Sequence, residues 1–143
     1  MKSLCGGCRC GAIRYECFCE PIAVSFCYCR DCQKTSGGPF CNYAVVPADA
    51  VKLTRGHPKS YTVVADTGNA VSREFCPDCG SPLFAGTSNV FVIAVGSLDD
   101  PTDVRPTIAI WLDSAQPWAP VLDAVERFAK NPPITLGNGQ GRR

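Results

Sequence analysis

Cys27-Tyr28-Cys29-Arg30-Asp31-Cys32 puts three thiols within six residues, and thiolates are the ligands that zinc and other borderline metals take. In an extended segment residues two apart share a face, so Cys27 and Cys29 can converge on one ion while Cys32 returns to it around a turn. The segment after Cys29 reads as a short helical turn, whose unpaired N–H groups and positive dipole end favour thiolates. Two further pairs have ligand spacing. Cys8 and Cys10 lie in a glycine-rich loop spanning residues 4–11, and Cys76-Pro77-Asp78-Cys79-Gly80 forms a compact knuckle with glycine where the turn wants a positive φ.

With Cys5, Cys17, Cys19 and Cys41 set aside, seven cysteines remain, and they divide economically as four plus three. Cys8, Cys10, Cys76 and Cys79 would make a closed structural zinc site that staples the N-terminal loop to the middle of the chain. Cys27, Cys29 and Cys32 would leave a position open, where zinc acts as a Lewis acid toward a thiolate or a carbonyl oxygen. Two other arrangements stay open: buried thiols without metal, and a triplet closed by Cys5, Cys19 or Cys41. Arg30 and Lys34 flank the triplet and could hold a substrate carboxylate, although exposed basic residues are often only solvated. His57, in a Gly-His-Pro turn, is given no role.

The chain's 143 residues suit one domain, 1–143, that buries roughly two thirds of its unfolded surface. Hydrophobic residues make up 45% and charged residues 19%, too apolar for disorder. A net charge of +1 supplies no basic field for a phosphate backbone, so no nucleic acid partner is expected. No apolar run reaches the ~20 residues of a bilayer span, so no membrane is expected either. An odd total of eleven cysteines, close C-x-C pairs and no apolar leader after Met1 point to reduced thiols in the cytoplasm.

Many short strands must position these thiols. Alternation over 12–18, with Ile13, Tyr15 and Cys17 on one face, predicts a half-buried strand, and 22–28 predicts a second that delivers Cys27 and Cys29 at its end. Further strands are predicted over 40–46, 51–54, 60–65, 70–75, 90–95 and 107–112, with meander connections between several of them. Val121, Leu122, Val125 and Phe128 have helical spacing, which predicts a short helix over 121–130 ahead of a loop tail from Asn131. Trp111 and Trp118 are expected in the core or a pocket wall.

Three motifs together resemble the glutathione-dependent formaldehyde-activating enzymes and the related domain of centromere protein V. They are Gly7-Cys8-Arg9-Cys10-Gly11-Ala12, Cys27 through Gly37, and Phe75-Cys76-Pro77-Asp78-Cys79-Gly80, with Gly96-Ser97-Leu98-Asp99 and 111–118 fitting as well. The resemblance runs from Cys5 to about Trp118. It implies an Mss4-like fold, mainly β, of several small coiled antiparallel sheets with bound zinc. It also implies two zincs per chain: a structural ion on Cys8, Cys10, Cys76 and Cys79, and a catalytic one on Cys27, Cys29 and Cys32. The implied activity is that of a carbon–sulfur lyase or synthase on a small thiol–aldehyde adduct such as S-(hydroxymethyl)glutathione, with glutathione and formaldehyde as partners.

Two positions depart from the family's pattern. Tyr28 stands where many members have histidine between the first two cysteines of the triplet, and Ala109 replaces a histidine before the Ile-aromatic pair. Proton transfer then falls to a zinc-bound water, to Asp31 or to Tyr28. A non-catalytic, zinc-stabilised binding module is the alternative. A thiol redox protein is a third reading, but every C-x-x-C pair includes at least one proposed ligand.

Overall fold

Leu4–Gly7 (β1) pairs antiparallel with Arg14–Cys17 (β2), so the N-terminal stretch expected to be all loop is a strand up to Gly7. The description rests on a computed structural model and covers residues 3–65 and 67–132. Tyr15 and Cys17 of β2, with Ile13 just before it, point into the core as the alternation requires. Val51–Arg55 (β5) closes this three-stranded sheet on the other side of β2.

The second sheet has eight strands. Ala23–Cys27 (β3) and Cys41–Val46 (β4) are antiparallel neighbours, with Cys27 directly opposite Cys41. Lys59–Val64 (β6), Ala70–Phe75 (β7), Pro82–Gly86 (β8) and Phe91–Ala94 (β9) form a meander, and β9 returns to β4; the sequence predicts its β6–β7 connection, but β5, expected to lead into it, pairs with β2 in the other sheet. β8 escapes a reading by alternation because Leu83, Phe84 and Ala85 are all buried, which leaves no polar face to mark the period. Ile108–Ile110 (β10) lies parallel to β3.

The helix expected over 121–130 does not form. This segment runs extended along the free edge of β10, where Glu126–Arg127 (β11) pairs in parallel. Backbone bonds from Phe128 N to Ala109 O (2.9 Å) and from Leu112 N to Phe128 O (3.1 Å) continue the contact. An open strand edge offers partners to backbone groups along this segment, and Leu122 is left exposed. Trp118 is 70% exposed, against the expectation of a core or wall residue, whereas Trp111 is half-buried. Of the expected tail, Asn131 and Pro132 are described and the remainder lies outside the described residues.

Candidate metal centres

The β1–β2 loop and the β7–β8 turn meet. Cys8 Sγ lies 3.6 Å from Cys10 Sγ, and Cys10 Sγ lies 3.8 Å from Cys76 Sγ. With Cys79 these sulfurs all fall within 4.8 Å of one another. A disulfide would bring a pair to about 2.05 Å. A tetrahedral zinc with sulfurs about 2.3 Å away sets an edge near 3.8 Å, which these separations match. Gly80, at φ +80°, turns the second knuckle so that its N–H reaches Cys76 O (2.8 Å). Ile13 N donates to Cys8 Sγ (3.2 Å) and Asp78 N to Cys76 Sγ (3.4 Å), the backbone support that thiolate ligands need. Ser81 draws the Cys79 thiol down to about 5 through its hydroxyl and its backbone, which favours the thiolate form a metal binds. Cys10, despite an N–H from Ala12 that favours its anion, is pushed up to about 12 by the neighbouring thiols.

The triplet is built by the end of β3 and the helix that follows. Cys27 is the last residue of β3, and Cys29 is the N-cap of Arg30–Ser36 (α1), its Sγ accepting from Cys32 N at 3.3 Å. The sulfurs of Cys27, Cys29 and Cys32 lie within 4.8 Å of one another. Hydrogen bonding with Cys29 and Cys32 drives the Cys27 thiol upward, while the bond from Cys27 holds Cys32 down. Gln33, buried on α1, donates to Tyr28 O (2.6 Å) and Ser114 O (3.1 Å), and its carbonyl accepts from Gln116 (3.0 Å). These bonds tie the helix to the 111–118 segment and fix how it presents Cys32.

Of the three cysteines that might have closed the triplet, Cys41 alone comes near. Its thiol donates to Cys32 O (3.2 Å) and it stands outside the group of three sulfurs. Cys5 bonds Glu16, and Cys19 packs against the core cluster that holds Ile13, Tyr15 and Cys17. The triplet instead faces a cavity of about 430 Å³. Val45, Val92, Ile110 and Trp111 form apolar wall; Arg30, Asp31, Tyr43 and Arg73 supply polar groups. Trp111 holds a left-handed backbone (φ 60°), and Asn131 accepts from its indole N–H at 2.9 Å.

Sequence reasoning placed Arg30 beside the triplet, and Arg30 lines this cavity. Lys34 lines an adjoining cavity of about 350 Å³. Tyr43 and Arg73 line both. Neither stands out in the sequence, since an arginine within β7 reads as a solvated strand residue; here it is 7% exposed. Arg73 donates to Tyr43 Oη (2.7 Å) and to Cys32 Sγ (3.8 Å). Tyr28, proposed above as a proton carrier, faces the other way: it is fully buried, donates to Pro120 O (2.7 Å) and packs near Phe40, outside the cavity lining. Alternation explains this, because Cys27 and Cys29 occupy the opposite face. Ala109 is buried on β10 and likewise absent from the lining.

Comparison with known proteins adds to this geometry. The family model described as "Glutathione-dependent formaldehyde-activating enzyme" matches residues 3–114. Three curated relatives carry the name "Putative glutathione-dependent formaldehyde-activating enzyme". The one from Phaeosphaeria nodorum is 38% identical over 44% of this chain and 32% of its own length. Those from Fusarium vanettenii and Penicillium rubens are 30% and 34% identical over 52% of this chain, and 44% and 42% of theirs. The chain thus spans less than half the length of these relatives. A crystal structure of a Rhodobacter sphaeroides protein superposes with a TM-score of 0.53 at 18% identity, covering 73% of this chain and 98% of that one, which establishes likeness of fold.

Proposed function

The chain belongs to the glutathione-dependent formaldehyde-activating enzyme family, and from that premise we propose that 1–143 is one zinc-binding domain catalysing carbon–sulfur chemistry on a small thiol–aldehyde adduct such as S-(hydroxymethyl)glutathione. The observation that carries this reading is the cavity set against three converged thiols with no fourth sulfur in their group. Cys8, Cys10, Cys76 and Cys79 would hold a structural zinc, and Cys27, Cys29 and Cys32 a second one. When bound at the triplet, zinc supplies Lewis acidity toward a thiolate or a carbonyl oxygen. All eleven cysteines are free thiols, which suits a reducing compartment such as the cytoplasm. Among the described residues no helix is long and apolar enough to cross a membrane.

The chain's own residues then have distinct tasks. In the synthetic direction the substrate sulfur attacks the aldehyde carbon, a C–S bond forms, and the carbonyl π pair moves to oxygen, which takes up a proton. Asp31 stands at the cavity wall to receive the thiol proton and return it to that oxygen. Val45, Val92, Ile110 and Trp111 exclude bulk water around the adduct. Arg30 would hold a substrate carboxylate, and Lys34 would meet only a ligand long enough to extend past Tyr43 and Arg73.

Replacing the metal by cobalt(II) and titrating with glutathione tests the reading. Two metal equivalents per chain and a changed cobalt–thiolate spectrum are expected. A spectrum indifferent to glutathione would remove the enzymatic interpretation and leave a metal-stabilised binding module.

A further inference from the structure

Among the described residues, the hydrogen-bond partners of the buried cation Arg73 are a phenol and a thiol sulfur, not a carboxylate. Burying a guanidinium is unfavourable unless an opposite charge compensates it, and this side chain stays charged throughout the accessible pH range. Its register explains the aim. On β7, Val71 and Arg73 share the face that lines the three-thiol cavity, and Arg73 sits between Tyr61 on β6 and Ala85 on β8, far from a free edge. One guanidinium nitrogen is braced by Tyr43 Oη at 2.7 Å, and the other is thereby turned toward Cys32 Sγ at 3.8 Å.

Three thiolates around a divalent ion would carry one net negative charge, which Arg73 would offset. A thiolate entering the open position adds a second negative charge, in a setting of low dielectric where a fixed cation counts most. A neutral ligand adds none. We propose that Arg73, braced by Tyr43, is the electrostatic positioning residue of the Cys27–Cys29–Cys32 site and biases its open position toward an anionic thiolate over a neutral ligand. This rests on the reading of the triplet as a metal site with an open position. A purely structural arginine, satisfied by Tyr43 alone, would confer no such discrimination.

The test uses the cobalt(II)-substituted full chain and two probes followed by the cobalt spectrum: 2-mercaptoethanol, whose only charge on binding is on sulfur, and imidazole, which binds neutral. In Arg73→Gln the affinity for 2-mercaptoethanol is expected to fall roughly tenfold to a hundredfold, with imidazole affinity within about twofold of the parent. Arg73→Lys should restore a large part of the loss. Tyr43→Phe, which keeps the ring and removes the brace, should show a smaller loss with the same selectivity, and it decides the matter if Arg73→Gln fails to fold or to hold cobalt. Equal losses for both probes, or unchanged affinity for 2-mercaptoethanol, would overturn the role of Arg73 alone. A parent chain that binds neither 2-mercaptoethanol nor glutathione would overturn the thiol-ligand reading of the site and this inference with it.

Discussion

Cys10 Sγ and Cys76 Sγ lie 3.8 Å apart although 66 positions separate them. Their group joins the three-stranded sheet to the β7–β8 turn of the eight-stranded one, so holding it together holds the two sheets together. The triplet, by contrast, gathers residues from one local stretch, 27–32.

Loss of the two groups should therefore differ. A bound structural zinc contributes on the order of 10 kcal/mol, comparable with the whole stability of a domain. Cys76→Ser is expected to lose one metal equivalent and cooperative folding together. Cys29→Ser is expected to lose one equivalent while keeping the parent's far-ultraviolet circular dichroism and a cooperative melt. Metal analysis with thermal unfolding checks both, and a Cys29→Ser chain that unfolds as readily as Cys76→Ser would contradict the division.

Tyr28 should matter to stability and not to chemistry. Its phenol is buried with one acceptor, Pro120 O, and lies outside the cavity lining. Tyr28→Phe is expected to lower stability by about 1 kcal/mol, leaving turnover and the cobalt spectrum as in the parent. A loss of turnover without a change in the melt would return Tyr28 to the site.

Two glycines separate backbone strain from collision. Gly80 has φ +80° and open space where a Cβ would stand, so Gly80→Ala carries only the left-handed penalty, about 1 kcal/mol. Gly56 has φ +69° and would place its Cβ 2.2 Å from Ala12 O, so Gly56→Ala should destabilise by several times as much. Denaturant midpoints compare them directly, and similar shifts for both would count against the close approach of residues 12 and 56.

The Arg14–Asp99 pair gives a pH dependence of known sign. Arg14 Nη1 and Nη2 donate to the two carboxylate oxygens, and these bonds hold the Asp99 carboxyl below its ordinary range. A depressed folded-state value means that the stabilisation is present above the unfolded value of about 3.9 and is lost as pH falls through the folded one. Both side chains are more than a third exposed, so the effect stays below about 1 kcal/mol. Asp99→Asn should melt slightly below the parent at pH 7 and converge with it near pH 2. A gap that persists in acid would mean that the carboxylate charge is not its source.

All seven proposed metal ligands were legible as types and spacings, because two-residue and three-residue cysteine intervals are geometric statements about strands and turns. So were most strands, where one face is buried and the other is not. β8 was not legible, since burial on both faces erases alternation, and the 121–130 segment was misread because its fate depends on a strand edge formed by β10. Arg30 and Lys34 look equivalent in the chain, yet they line different cavities.

The readings that the chain alone supports are therefore local: which thiols can share an ion and which residues share a strand face. Tertiary structure alone decided that Cys41 stops beside Cys32 without joining the triplet, and that Arg73 is drawn out of solvent to face that sulfur. The physical reason is that spacing along a chain sets direction over a few residues only. Which surfaces then meet, and which charge is left to balance which, depends on how β7 and β4 are brought into one sheet through β8 and β9.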